Sequence, residues 1–358
     1  MNFWEKMERP ILCLAPMADV TDAAFRFVIS CCSKLPDTFS SLSTHKSLLA
    51  FCSARLSQPA QGTLRKVSGN FVTYTEFVSA DGLVKAPEKG RKKLLKDLEY
   101  SEIERPIVAQ FFTNKPEMME KAAELAAELS FDGIDINMGC PDKSIEKQGA
   151  GAMLMKNPLL ARELVKAAKR GTKNKIPVSI KTRLGYSKDE LETWLPELLA
   201  ENPAAIIIHA RIKKEMSKVP ARWERIKRAV EIRDEMRSKT LIIGNGDVKD
   251  INDAVEKCRE SGADGAMLGR AVFGNPWLFV DYEPTLKERL KVLIEHTKLF
   301  EEKFNPPAGG IKSFAIMKKH FKEYLKGPNL RDLKFKLMRT EKAEEVEKII
   351  SEFWPPIN

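Results

Sequence analysis

The 358-residue sequence has little of what marks several protein classes. It holds six cysteines with no CxxC pair and only four histidines, which argues against a disulfide scaffold and against a zinc site. No apolar run approaches the roughly 18 residues that a membrane-spanning helix needs. The amino-terminal residues are mixed and charged, unlike a secretory leader. We therefore expect a cytoplasmic protein that uses no metal and does not enter a membrane.

The composition is that of a folded, basic protein. Hydrophobic residues make up 43% and charged residues 31%, so the chain can bury a core, and disorder throughout is excluded. Lysine and arginine number 60 against 50 acidic residues. Nine basic residues against two acidic ones fall between Gly310 and Thr340. This concentration indicates either a polyanionic partner or a solvated helix face, and charge alone leaves both interpretations open.

Short apolar runs alternate with helical stretches along most of the chain. Eight such runs, apolar on both faces, predict parallel strands, and the amphipathic stretches between them predict helices. Strand followed by helix, repeated eight times, is typical of a (β/α)8 TIM barrel. A doubly wound open sheet is the alternative, but no GxGxxG motif follows the first run. The predicted strands cover residues 11–15, 72–78, 107–111, 133–137, 178–181, 205–209, 241–245 and 265–269.

The strand pattern stops before the carboxyl-terminal part of the chain. Helices are predicted at 285–304, 311–325, 330–338 and 341–353, separated by Asn305-Pro-Pro and Lys326-Gly-Pro. We therefore expect an α/β protein with a TIM barrel at 1–283, followed by an all-helical domain at 284–358. Residues 31–70 are rich in Ser, Gln, Thr and Lys without a clear period, and we expect an atypical insertion there.

One cysteine stands where a barrel builds its active site, at the carboxyl end of a strand. Cys140 follows the fourth predicted strand and lies between Gly139 and Pro141. The proline ends the strand and fixes the loop, which aims the thiol into the barrel mouth. The thiol is a candidate nucleophile or proton donor. The alternative is a small buried apolar side chain.

Polar side chains end other predicted strands. Lys181 closes an apolar strand, where its charge is costly unless it meets an anion such as a reduced flavin ring. Gln110 offers a donor and an acceptor, which suits the edge of a pyrimidine-like ring. His209 also ends a strand, but a single histidine there is more often structural than functional.

The last two strand ends are typical of a phosphate site. Asn245-Gly246-Asp247 follows the seventh predicted strand and Gly269-Arg270 the eighth. Glycines let the backbone approach an anion, and an arginine binds phosphate with two parallel hydrogen bonds. The alternative is a pair of tight turns, which glycine also serves.

At this point several runs resemble a known family. LAPMADVTDAAFR, GIDINMGCPDKSIEKQGAGAMLM, SIKTRLG, IIHAR, GNGDV and GADGAMLGRAVFGNPWLF occur in that order and resemble the tRNA-dihydrouridine synthases. The run MKKHFKEYLKG, from Met317 to Gly327, resembles the start of their helical tRNA-binding domain. The resemblance covers residues 11–30 and 71–338, and Cys140-Pro followed by Gly149-Ala-Gly151-Ala is its most specific part.

The resemblance implies a reaction and a set of site residues. Members of this family bind FMN, which NADPH or NADH reduces, and add hydrogen across the C5–C6 double bond of uridines in tRNA. By resemblance, hydride goes from the reduced flavin to C6 and Cys140 protonates C5. Asn137 and Arg183 would lie near the uridine, and Lys318, Lys319 and His320 would contact tRNA. The residues expected to bind FMN are Pro16, Met17, Ala18, Gln110, Lys181, His209, Asn245, Gly246, Asp247, Gly269 and Arg270.

Two other functions remain open on the sequence. An FMN barrel enzyme acting on a small molecule, such as a dihydroorotate dehydrogenase, shares the pyrimidine chemistry but needs no basic helical domain. A tRNA-binding protein without catalysis would need the basic region but not Cys140, Lys181 and Arg270. Our prediction is the synthase, with tRNA as partner and a monomer as its state.

Overall fold

The computed structural model describes residues 2–34, 70–280, 282–305 and 310–354. Contacts between residues divide the described chain into two units. The first unit comprises 2–16, Asn70–Leu98 and Arg105–Gly269, and the second comprises 17–34, Glu99–Glu104 and the described residues from Arg270 onward. The predicted boundary at 283/284 stays a prediction. Residues 35–69, which include most of the predicted insertion and Cys52, lie outside the described residues.

The first unit is a closed barrel of eight parallel strands in sequence order. The ring closes because β1 pairs with β8, from Ile11 opposite Gly265 to Leu14 opposite Leu268. The eight predicted strands and the TIM-barrel fold are therefore confirmed, and the predicted strand ends differ from the observed ones by at most two residues. The strands are β1 (Ile11–Leu14), β2 (Phe71–Ser79), β3 (Ile107–Phe112), β4 (Gly133–Asn137), β5 (Val178–Arg183), β6 (Ala205–His209), β7 (Leu241–Asn245) and β8 (Gly265–Leu268).

Helices lie between the strands and cover the barrel with apolar faces. The helix Pro116–Glu128 buries Ala122, Ala123 and Ala126 at helical spacing, and a proline occupies its first turn. The helix Pro158–Gly171 begins in the same way, and the side chain of Asn157 accepts a hydrogen bond from the N–H of Leu160. The helices of this unit are Phe3–Lys6, Ala80–Lys85, Glu88–Asp97, Pro116–Glu128, Lys143–Lys147, Pro158–Gly171, Leu191–Leu199, Trp223–Glu235 and Ile251–Ser261.

The second unit is built on the buried helix Ala23–Ser33. Asp22 caps this helix, and Arg26 within it forms an ion pair with Glu104 at 2.7 Å, both side chains being at most 1% exposed. The predicted helix at 311–325 is divided into a 3₁₀ turn, Phe314–Ile316, and the helix Met317–Tyr324. The other helices of this unit are Leu286–Phe304, Arg331–Leu337 and Ala343–Phe353.

Two features of residues 2–34, 70–280, 282–305 and 310–354 concern membranes and metals. In these ranges no helix is long and apolar enough to cross a membrane. Nor do the described ranges contain a group of three or more His, Cys, Asp or Glu residues that is placed to hold a metal ion.

Candidate active site at the carboxyl ends of the barrel strands

The strand register of the first unit sets several predicted site residues side by side. Asn137 lies opposite Lys181, Arg183 lies opposite His209, and His209 lies opposite Asn245. Alternate residues of a strand share one face, so Lys181 and Arg183 point to the same side of β5. The carboxyl ends of β4 to β7 therefore form one continuous polar ring.

The loop after β4 holds Cys140 through its own backbone. The side-chain oxygen of Asn137 accepts hydrogen bonds from the N–H groups of Gly139, at 3.2 Å, and Cys140, at 2.9 Å. The carbonyl of Cys140 accepts from the N–H of Ala152 at 3.0 Å. Gly151 has a φ of +61°, and a Cβ there would lie 2.9 Å from that carbonyl. Glycine is needed at this position, and the thiol is held at a defined place.

The surroundings of Cys140 keep its thiol protonated. Burial raises the pKa of Cys140, and this effect outweighs the nearby positive charges of Arg183 and Lys181, which lower it. A thiol with a raised pKa carries its proton at neutral pH. Of the two roles predicted for Cys140, proton donor fits these electrostatics better than nucleophile.

Lys181 is a partly buried cation with a neutral partner. Burial, together with the charge of Arg183, lowers the pKa of Lys181 to about 8. Its Nζ donates to Oδ1 of Asn245 at 3.1 Å, and Nδ2 of Asn245 donates to the carbonyl of Met267 at 2.8 Å. The second bond fixes the direction of the amide. An amide oxygen carries no net charge, and the effect of burial on the pKa of Lys181 exceeds the opposing effect of the Asp135 carboxylate, so this position favours an anionic ligand.

Arg183 ties the Cys140 loop to the loop after β6. Its Nε donates to the carbonyl of Gly139 at 2.8 Å, and its Nη1 donates to the carbonyl of Met216 at 3.2 Å. Burial lowers the pKa of Arg183 to about 10. The sequence predicts that Arg183 lies near the substrate, and the structure gives it backbone contacts directly beside Cys140.

The ends of β6 and β7 are joined by a buried arginine. Arg211 is 2% exposed, and its Nη1 lies 3.0 Å from Nε2 of His209. Its Nη2 donates to Asp247 at 2.5 Å, and Asp247 also accepts from the N–H of Ala221 at 2.9 Å. Gly246 has a φ of +124°, and a Cβ there would lie 2.8 Å from Cβ of Ala221. The carboxylate predicted to bind cofactor thus contacts Arg211 and a neighbouring loop.

Five predicted cofactor residues lie at positions in the sequence where one unit ends and the other begins. Pro16 and Gly269 end segments of the first unit, whereas Met17, Ala18 and Arg270 belong to the second. The cofactor role of these three residues therefore stays a prediction. Met17 forms a tight turn, in which its N–H donates to the hydroxyl of Thr21 at 2.8 Å.

The predicted tRNA-contacting residues differ in exposure. Lys318 is half-buried, and Lys319 is exposed and forms an ion pair with Asp19 at 3.3 Å. His320 is fully buried and packs on Phe25, with ring centres 4.5 Å apart. The prediction that His320 contacts tRNA from the protein surface is therefore wrong, because its side chain faces the apolar interior of the second unit.

One buried charged residue next to the ring, Asp135 on β4, was missed in the sequence. Asp135 accepts a hydrogen bond from Gln110 at 2.6 Å, and Gln110 in turn accepts one from Asn137 at 3.0 Å. Alternation along Gly-Ile-Asp-Ile-Asn puts Asp135 and Asn137 on the same strand face, and this signal was available. Arg211 follows His209 by the same alternation in His209-Ala-Arg211, but no local pattern marks its contacts with Asp247 and with the carbonyl of Val219, which come from other loops.

Comparison with known proteins agrees with this geometry. The dihydrouridine synthase (Dus) family profile matches residues 13–353. "Probable tRNA-dihydrouridine synthase" of Staphylococcus aureus (strain MRSA252) is 36% identical over 357 residues, covering 98% of this chain and 95% of that protein. "Probable tRNA-dihydrouridine synthase 2" of Bacillus subtilis (strain 168) is 35% identical over 357 residues, covering 98% and 96%.

Likenesses among solved structures are more distant. The amine oxidase HisD of Pseudomonas geniculata N1 is 11% identical, covering 74% of this chain and 46% of that one, with a TM-score of 0.48. A likeness at this level carries no argument about function. The family match over residues 13–353, together with relatives that are 35–36% identical over 98% of the chain, shows that the chain belongs to the dihydrouridine synthase family.

Proposed function

We propose that this protein is an FMN-dependent tRNA-dihydrouridine synthase, in which Cys140 gives the proton that C5 of uridine receives. The observation that carries the proposal is the Cys140 thiol, whose loop is held after β4 by Asn137 and Arg183 and whose pKa is raised by burial, in a chain of this family. The relatives that cover nearly the whole chain carry the same activity in their names.

The residues of the ring fit a flavin. Lys181 has a neutral hydrogen-bond partner and a lowered pKa, so an anionic group beside it would be stabilised. When bound, FMN supplies the hydride for C6 of uridine. The family resemblance also assigns Pro16, Met17, Ala18 and Arg270 to this cofactor, and that assignment stays a prediction. The residues that would hold FMN are Gln110 on β3, the ring residues Lys181, His209, Asn245, Gly246 and Asp247, and Gly269 after β8.

The chain's own residues explain how Cys140 acts as an acid. Burial keeps the proton on the thiol until it is transferred to C5 of uridine. The thiolate that remains lies near the positive charges of Arg183 and Lys181, which stabilise it. Cys140 is only partly buried, so it regains a proton from solvent before the next turnover.

The basic carboxyl-terminal region fits tRNA as the substrate. A uridine inside folded tRNA must leave its stack to reach an active site, and contacts to phosphates supply most of the affinity. Lys319, Lys322 and Lys326 are exposed and Lys318 is half-buried, which suits such contacts. Reduction by NADPH or NADH, a monomeric state and a cytoplasmic location stay predictions.

The test is dihydrouridine content, measured by nucleoside mass spectrometry, in unmodified tRNA incubated with the protein, FMN and NADPH. We expect dihydrouridine from the wild type and little from Cys140→Ala. Cys258→Ala is the matched control, since this buried thiol, whose pKa burial raises to about 12, lies on the helix Ile251–Ser261. Equal amounts of product from Cys140→Ala and Cys258→Ala would rule out Cys140 as the acid. If the flavin-loaded wild type makes no product, the proposed synthase activity is wrong.

A further inference from the structure

A buried carboxylate lies directly beneath the Cys140 loop. Asp135 is 0% exposed and has Gln110 on one side and Ser179 on the other. Nε2 of Gln110 donates to its Oδ2 at 2.6 Å, and the hydroxyl of Ser179 donates to its Oδ1 at 2.7 Å. These bonds link β3, β4 and β5 inside the barrel.

This carboxylate sets the direction of two amides. An ionised carboxylate only accepts hydrogen bonds, so the NH2 group of Gln110 must face Asp135. The oxygen of Gln110 then faces Asn137, whose Nδ2 donates to it at 3.0 Å. The oxygen of Asn137 is left facing the N–H groups of Gly139 and Cys140. Turning either amide over would bring two donors or two acceptors together.

We propose that Asp135 is a positioning residue for Cys140: through Gln110 and Asn137, its acceptor-only carboxylate fixes the loop that carries the thiol. The inference rests on the proposed function only in treating Cys140 as the proton donor. Asp135 reaches neither the thiol nor the substrate position itself, and acts through the two amides.

The charge state of Asp135 is sensitive to mildly acidic pH. Burial raises its pKa to about 6, although Ser179, Gln110 and the charge of Lys181 lower it. Once protonated, the carboxyl group also donates, and Gln110 loses its fixed direction. Burial raises the pKa of the other titratable groups near it well above their ordinary values, so they stay neutral at this pH; these groups are Cys13 on β1 and Tyr74 on β2.

The first test uses the flavin-free protein and needs no catalysis. Iodoacetamide labelling of Cys140 is followed by peptide mass spectrometry, which separates it from the other cysteines. We expect Asp135→Asn to be labelled at least about fivefold faster than wild type, because releasing the loop exposes the thiol more often. Ser179→Ala removes the other hydrogen bond to the same carboxylate and is the matched control, expected to stay within about twofold. Equal labelling of Asp135→Asn and wild type would overturn the inference.

The second test exchanges the carboxylate and the amide between positions 135 and 110, which should restore the directions of the hydrogen bonds. In Asp135→Asn/Gln110→Glu, the new glutamate is the acceptor-only group, so Asn137 must still donate to it and keep its oxygen on the Cys140 loop. Labelling should return to within about twofold of wild type, although activity does not, because the family resemblance also assigns Gln110 to the cofactor. A double variant labelled as fast as Asp135→Asn would contradict the relay.

A wild-type measurement covers the case in which the variants fail to fold. The N–H of Cys140 donates to Asn137, so its hydrogen exchange reports this contact directly. Protection, corrected for the intrinsic exchange rate, should fall as pH is lowered from about 7 to about 5. Constant protection over that range would contradict the dependence of this contact on the ionised state of Asp135.

Kinetics separate this inference from the proposed function. With the flavin-loaded enzyme and tRNA, Asp135→Asn should lower kcat at least about fivefold with KM for tRNA unchanged, because the loop, not the tRNA-contacting surface, is altered. If the wild type makes no dihydrouridine but the labelling differences appear, the positioning role stands and the proposed function falls. An Asp135→Asn enzyme with wild-type kcat and wild-type labelling contradicts the positioning role alone.

Discussion

Replacing Lys181 by methionine should make the flavin-free protein more stable at neutral pH. The pKa of Lys181 is lowered from 10.5 to about 8, mainly by burial. A difference of about 2.5 pKa units corresponds to about 3 kcal/mol by which the folded state disfavours the charged lysine. The variant also loses the hydrogen bond to Asn245, and this loss reduces the gain in stability by about 1 kcal/mol. We expect a net gain of about 2 kcal/mol in the free energy of unfolding at pH 7.

The pH dependence distinguishes this cause from better packing. Between the folded pKa, about 8, and the unfolded value of 10.5, the unfolded lysine binds more protons than the folded one. Wild-type stability should therefore rise with pH across that window, and the advantage of Lys181→Met should shrink. Urea denaturation at pH 7 and at about pH 10 measures both effects. Exposed Lys121→Met is the control and should change stability at neither pH.

Two results would refute this reasoning. One is a Lys181→Met protein less stable than wild type at pH 7. The other is an advantage that does not change with pH, since a packing effect has no such dependence. The same variant should bind FMN more weakly. Stability and function would then change in opposite directions, as they do at active sites that lower the stability of the folded state.

The other predictions concern loops and the basic region. Gly151→Ala should cost about 1–3 kcal/mol in thermal unfolding, because its positive φ and the nearby Cys140 carbonyl exclude a side chain. Gly90→Ala, in a helix with φ in the ordinary range, should cost nothing, and equal losses would contradict this account. Arg183→Met should lower single-turnover dihydrouridine formation about tenfold or more, and an unchanged rate would refute its role at the Cys140 loop. Lys318→Glu/Lys319→Glu should weaken tRNA binding and lower the salt slope by about 2, whereas an unchanged slope would exclude phosphate contacts by both.

The fold was predictable because its signal is repeated. Each strand is a short apolar run buried on both faces, and eight such runs with helices between them favour one closed architecture. That architecture also makes strand ends converge, so Asn137, Lys181, His209 and Asn245 were predictable as neighbours. What each side chain contacts was not predictable. Asp247, for example, contacts the buried Arg211.

The error at His320 has a physical cause that the sequence contained. Lys318 and Lys319 drew attention to charge, but burial on a helix follows spacing. Met317, His320, Phe321 and Tyr324 repeat at three- and four-residue intervals, and all four are buried. The ion pair of Arg26 with Glu104 is different, because its partners lie 78 residues apart and no local pattern links them.

The most direct test of the central claim is a single turnover without oxygen. The FMN-loaded protein is reduced, freed of excess NADPH and mixed with unmodified tRNA, while flavin absorbance and dihydrouridine are followed together. We predict that flavin is reoxidised in step with the appearance of one dihydrouridine per flavin, and that Cys140→Ala slows both. Flavin that stays reduced in the presence of tRNA, or is reoxidised without dihydrouridine, would contradict the account.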